Sequence, residues 1–550
     1  MLLRLVAAWI VGLGLCTSTS AASWFVATDG DDNNAGTLQA PFATLGKAGW
    51  RAAPGDTIYV RGGIYTQRHS ITLNGTAEQP ILIRPYADEK VIFDGSGTPA
   101  DTTLIYIGGQ HAHFEGFEVR NATRSGISTW GGKHLTIANN VVHHTWRGGI
   151  WMGHDVDGET RDIRLIGNTV YRTCLSNDPQ IGNEGWPAAL VVYRVTGAVI
   201  EGNTVYENHG EGIGVQESRD VLVRQNTVYD NFSVNLYFDN ARYSRAEANL
   251  VYTTGNTAFY RDGTRAANGI ALANETGVSD PTALHGNTVV NNILVNNHRG
   301  IYYGDYLAGG GMHDTLIAHN TVYNATRAAL EIESAAHSNV RIANNLLVQA
   351  GGAALAHVAG AGLSIEGNCY WGEDSSGVFA SGNLRAEPYF AAAGGYAATD
   401  YRIAAESGCA QAASVLAEVN QDYWQAPRTA AASAGAHEQD GPAPTRYARV
   451  ATIELKRVIR GRKPYIEPRV TLIDEAGRPL SGATVTATWS GALSKTVHGL
   501  TYSDANGAVL FPQEAAITGK TMTFTVQAVR RAGFVYDPAQ NLVTSRSITP

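Results

Sequence analysis

Charge is scarce in this chain. Charged residues make up 16% of its 550 residues, so neutral polar groups and turns must cover the surface. The formal net charge of −8 gives no basic field for a phosphate backbone and argues against nucleic acid as a partner. A neutral ligand, or one bridged by a cation, fits better. Cysteine is nearly absent: apart from Cys16 only Cys174, Cys369 and Cys409 occur, without metal-type spacing. Cys369 and Cys409 either pair in an oxidising compartment or remain buried thiols. Helix-period stretches are missing between the apolar segments, and after Leu15 no run is apolar enough to cross a bilayer. Residues 1–22 combine Arg4, an apolar run from Leu5 to Leu15 and small residues ending at Ala22. They read as a signal peptide, which predicts a secreted or periplasmic protein.

Repetition is what the chain has in quantity. The phrase N-x-[VL]-[VYH] begins at Asn140, Asn168, Asn203, Asn226, Asn249, Asn287 with Asn292 just after it, Asn320 and Asn345, and degenerates to NCYW at Asn368. Neighbouring copies are 23 residues apart from Asn203 to Asn249, then 25 and 23 from Asn320 to Asn368. A period in the low twenties with insertions marks a solenoid, in which each turn buries its apolar face only by stacking on the next. Five-residue alternations accompany the phrase: GIWMG, ALVVY, GIGVQ, NLYFD, GIALA, GIYYG and ALEIE. Alternation means strand, and strands without intervening helices must pair in parallel with the coils above and below. The chain is thus all-β, a right-handed parallel β-helix whose recurrent asparagines serve turns rather than chemistry.

Stacking turns an outward position into a ladder about 4.8 Å per rung. One outward column reads Trp151, Val191, Gly214, Tyr237, Ala271, Tyr302, Glu331; the next reads Gly153, Tyr193, Gln216, Asp239, Ala273, Gly304, Glu333. His154, Arg194, Glu217, Asn240, Asn274 and Asp305 follow at the turn. Aromatic and carboxylate groups together suit a groove that stacks sugar rings and holds their hydroxyls. The substrate-binding set is therefore Trp151, Tyr193, Gln216, Tyr237, Asn240, Tyr302, Asp305 and Glu333. Asp239 and Glu217, on adjacent coils, are a candidate acid and base pair or a shared calcium site. Arg194 lies one coil back, and Glu184, His209 and Glu211 form a second cluster in which the histidine is a candidate base. The catalytic set is Asp239, Glu217, Arg194, His209 and Glu211. Loops at 153–162, 174–187, 254–268 and 304–314 are expected to wall the groove.

From Ser23, the segment SWFVATDGDDNNAGTLQAPFATLGKAGWRAAPGDTIYV resembles the opening of secreted β-helix proteins of the pectate-lyase-like superfamily, with a short helix around Ala43 to Ala52 capping the open end. NQDYWQAPRTAAASAGAHEQ, 420–439, looks like the closing phrase of such proteins. The resemblance covers residues 23–439. Residues 440–446 read as a linker, and 447–550 resemble an immunoglobulin-like β-sandwich appended as an accessory module. The resemblance implies a monomeric polysaccharide-active enzyme, acting by elimination or hydrolysis on an acidic, uronate-containing polymer, or else a non-catalytic glycan-binding envelope protein. Several lyases of the superfamily use a lysine on this sheet as base. Here the β-helix has only Lys47, Lys90 and Lys133, none in the outward columns, so Arg194, His209, Tyr193 or Tyr237 would have to replace it.

Overall fold

A computed structural model describes residues 21–182, 185–276, 284–306, 309–351, 353–428, 432–439, 447–461, 463–531 and 534–550. Most of the expected signal peptide, the expected linker and Glu184 lie outside the described residues.

Each coil contributes three strands to three faces. Along one face run Ile127–Trp130, Ile150–Gly153, Ala188–Tyr193, Glu211–Gln216, Val234–Asp239, Asn268–Asn274, Arg299–Asp305 and Ala328–Ile332, every neighbour parallel. Their inward column is Ile127, Ile150, Leu190, Ile213, Leu236, Ile270, Ile301 and Leu330, none more than 1% exposed. Branched apolar side chains repeated at one register fill the interior of the coil, and the outward partners are free to vary. The NTVY copies build a third face, as in Thr204–Tyr206 on Thr227–Tyr229. There the tyrosine rings stack from Tyr171 through Tyr206, Tyr229 and Tyr252 at 4.6–5.2 Å. The glycine that opens alternations such as GIGVQ is required by the stacking: a Cβ on Gly212 would sit 2.3 Å from the Asn235 carbonyl oxygen of the next rung.

The repeated asparagine is the vertical tie. Asn140, Asn168, Asn203, Asn226, Asn249, Asn292, Asn320, Asn345, Asn368 and Asn383 form one buried ladder, each Nδ2 donating to the Oδ1 of the next at 2.9–3.1 Å. The same Oδ1 accepts the main-chain N–H of the preceding asparagine, as Asn249 Oδ1 does from Asn226 at 3.0 Å. The residue before the ladder asparagine takes left-handed backbone: Gly202 but also Gln225, Ala248 and His319. Non-glycine residues pay a strain there that the corner's hydrogen bonds offset. Asn287, grouped with the repeat by sequence, is not on this ladder. Its Oδ1 accepts from Ser244 N at 3.0 Å at another corner, and Asn292 supplies the rung.

The capping helix runs Leu45–Arg51, with Thr44 as its N-cap accepting from Lys47 N. Cys369 and Cys409 form a disulfide across Cα atoms 5.6 Å apart, while Cys174 is a buried free thiol. After residue 446, Tyr447–Arg460 and Lys463–Ile473 lead a five-stranded sheet, and Thr484–Gly491 and Met522–Arg530 lead a four-stranded one. The two share a core around Trp489, Phe511 and Phe524. Among the described residues no helix is long and apolar enough to cross a membrane.

Substituting Asn249 with Ala strands the Asn226 main-chain N–H and takes one of two acceptors from the Asn226 amide, which keeps the Ile200 carbonyl oxygen. At about 1–3 kcal/mol per unsatisfied buried group, Asn249→Ala is expected to lower unfolding free energy by about 3 kcal/mol, read from the denaturant midpoint. A change confined to a few tenths would mean the ladder is dispensable.

Candidate functional site

The register brings the outward columns together as the alternation implied. Tyr193, Gln216 and Asp239 are direct partners on successive rungs, and Trp151, Val191, Gly214, Tyr237, Ala271, Tyr302 and Glu331 form the adjoining column. Over rungs Glu211–Gln216 to Arg299–Asp305 these side chains floor a cavity of about 650 Å³. Three of the four expected loops wall it, through Trp186, through Arg261 and Arg265, and through Tyr306. Residues 153–162 do not line it; there Asp157 reaches Arg242 instead, at 3.4 Å.

The cavity holds several acidic groups. Glu211, Asp239 and Glu275 all line it. Burial, and then the charges of Asp239 and Glu275, hold the Glu211 carboxyl well above the usual carboxylate range. Burial and the neighbouring Glu275, with a smaller push from Glu217, raise Asp239 to about 7, although Asn240 Nδ2 donates to its Oδ1 at 2.7 Å. Tyr237 donates its hydroxyl to Glu275 Oε1, and burial and three nearby carboxylates push its phenol well up. These are the shifts expected when like charges share a desolvated site.

Basic groups line the cavity too. Arg261, Arg265 and Arg299 line the same cavity. Arg261 lies over the Trp186 ring at 4.4 Å and Arg299 over the Tyr302 ring at 4.4 Å. Glu331 is clasped by Arg299 at 2.9 Å and Arg327 at 2.6 Å. Planar guanidinium groups backed by aromatic rings suit a carboxylate ligand.

Several expected members are elsewhere. Glu217 is bonded to Arg194 at 2.8 Å in a left-handed corner, so it presents no free carboxylate to pair with Asp239. Among the described residues no three His, Cys, Asp or Glu side chains are grouped to hold a metal ion. His209 turns away from Glu211: its Nε2 lies 3.3 Å from Asp178, its ring 4.9 Å from Phe259, and burial lowers its pKa. Asn240 is buried and acts by orienting Asp239. Asp305 accepts from the Tyr303 hydroxyl at 3.3 Å, and Glu333 from Tyr302 at 2.7 Å and from Asp305 N at 3.1 Å. Neither carboxylate lines the cavity. Tyr193 packs between Trp151, ring centroids 6.2 Å apart, and Arg194 at 5.2 Å. Lys133 is on a different face, 3.4 Å from Glu159. The residues missed by sequence reasoning are Glu275, Trp186 and the three arginines.

Comparison with known proteins places this geometry. The family model for the Pel9A-like right-handed β-helix region matches residues 24–311. Over 98 residues the chain is 43% identical to pectate lyase PEL9 of Emericella nidulans, spanning 17% of this chain and 24% of that protein, so it covers about a quarter of this relative's length. In fold it is similar to XylC in complex with xylose, with a TM-score of 0.52 at 14% identity over 76% of this chain and 99% of that one. The crystal structure of pectate lyase Pel9A gives a TM-score of 0.48 at 17% identity over 77% and 97%.

Asp239 titrates higher in the folded chain, about 7, than its unfolded value of about 4. Its contribution to stability is thus full below about pH 4 and is lost as pH rises to about 7. Asp239→Asn removes that loss. Its melting temperature relative to the unsubstituted protein is expected to be higher at about pH 8 than at about pH 4.5, by thermal denaturation at both; a pH-independent difference would contradict the burial of this carboxyl.

Proposed function

The chain belongs to the Pel9A-like right-handed β-helix family, and from that premise we propose that it is an exported polysaccharide lyase acting on a uronate-containing polymer. The observation that carries the reading is one cavity lined both by carboxyls held at raised pKa and by arginines. In elimination, a base takes the proton from the carbon beside the uronate carboxylate. The electron pair of that C–H bond becomes a carbon–carbon double bond as the glycosidic C–O bond breaks, and the leaving oxygen needs a proton.

The residues match those needs. Arg261 and Arg265 bind the uronate carboxylate, and neutralising it acidifies the neighbouring C–H. Asp239, raised to about 7, is ionised in a useful fraction near neutral pH and is the proton acceptor. Glu211, kept neutral by burial and by Asp239 and Glu275, donates a proton to the leaving oxygen. Tyr237 and Glu275, hydrogen-bonded to each other, hold the floor between them. The family relative named a pectate lyase supports a uronate substrate. The apolar run near the first residue and the Cys369–Cys409 disulfide support export. The β-structure after residue 446 is proposed as an immunoglobulin-like accessory module.

A hydrolase would use the same carboxyls on water, so the product decides. Incubation with pectate and other uronate polymers is expected to generate the ultraviolet absorbance of unsaturated uronates in step with new reducing ends. Reducing ends without that absorbance would indicate hydrolysis, and neither signal on any polymer would indicate a binding protein. Activity should rise with pH through about 7 as Asp239 ionises, the opposite of a group acting as acid. Asp239→Asn is expected to lower kcat by about two to four orders of magnitude, the usual scale for losing a general base.

A further inference from the structure

The catalytic cavity does not stand alone on its face. A second cavity of about 580 Å³ lies on the rungs nearer the N-terminus and shares Trp186 and Gln216 with the first. Trp130 and Trp151 line it as a stacked pair, centroids 5.6 Å apart and 19° between planes, and Trp130 is 45% exposed. Arg68, Arg124 and Arg147 also line it. The indole Trp186 bridges the cavities at 51% exposure.

Toward the C-terminus the same columns are filled. Tyr302 is 4% exposed and Glu331 5%, the first bonded to Tyr306 and Glu333 and the second covered by Arg299 and Arg327. Trp130 and Trp151 thus lie on one side of the carboxyls, while on the other side Tyr302 is buried and Tyr306 is 49% exposed.

Resting on the proposed cleavage reaction, we propose that the groove is one-sided: a uronate chain lies along the N-terminal rungs with a sugar stacked on Trp130 and Trp151, and its end stops at Tyr302 and Tyr306. From Trp151 to Asp239 is three rungs, about 14 Å at the spacing of parallel strands. A chain must be several sugars long to touch both the tryptophan pair and Asp239, and the bond presented for cleavage is near its end.

Two measurements test this. With uronate oligomers of increasing length, kcat/KM is expected to climb until both cavities are spanned, and Trp130→Ala to remove most of that climb, roughly tenfold for one stacking contact. An unchanged length profile in Trp130→Ala would overturn the binding arm. On polymer, short products are expected from the outset while viscosity persists. An early collapse of viscosity with a broad ladder of products would overturn the end-stop. Quenching of tryptophan fluorescence by uronate oligomers reports the arm without turnover. If no polymer is cleaved yet Trp130→Ala abolishes quenching, the arm stands and the reaction falls; cleavage with an unaltered quench does the reverse.

Discussion

Everything on the surface of this protein depends on a hydrogen bond made in its interior, from the amide of one asparagine to that of the next coil. Parallel coils carry no hairpins to fix their register, and a slip of one residue would invert every side chain. A buried asparagine removes the ambiguity because its amide has a donor and an acceptor at fixed angles. In any other register Asn226 or Asn249 would leave polar atoms unsatisfied where no water reaches. The corner strain at Gln225, Ala248 and His319 is tolerated for the same reason.

Fixed register makes the site a consequence of stacking. Glu211, Asp239 and Glu275 come from three different strands or their ends, yet the rungs hold them in one cavity. Burial, and then their mutual repulsion, raises Asp239 and Glu211, and the scaffold bears the cost because its stability is distributed over many rungs. The arginines that balance this acidity come mostly from loops, which can vary without disturbing the ladder.

The sequence was informative where geometry is periodic. The repeat, the two outward columns and the closeness of Tyr193, Gln216 and Asp239 all follow from counting. Counting also misled where two asparagines stood close: Asn287 and Asn292 differ only in which corner they reach. Glu275 was within reach, two residues past Ala273 in the same alternation. Arg261 and Arg265 were not, because a long insertion has no register to extend. His209 and Glu217 show the remaining gap: adjacency in sequence or coil does not say which way a turn aims a side chain, and Asp178 and Arg194 claim these two.

The arrangement also bears on whether the groove merely holds glycan. A surface that only stacks sugars gains nothing from carboxyls buried beside one another, since each raised pKa is stability forgone at neutral pH. Glu331 shows what the chain does with a buried carboxylate that has no reaction to perform: two arginines clasp it and its pKa falls. Asp239 and Glu211 sit three and four rungs away on the same face, and among the described residues no such ion pair relieves either. The contrast within one protein, on the same sheet, is why the unrelieved pair is read as chemistry rather than as a defect of packing.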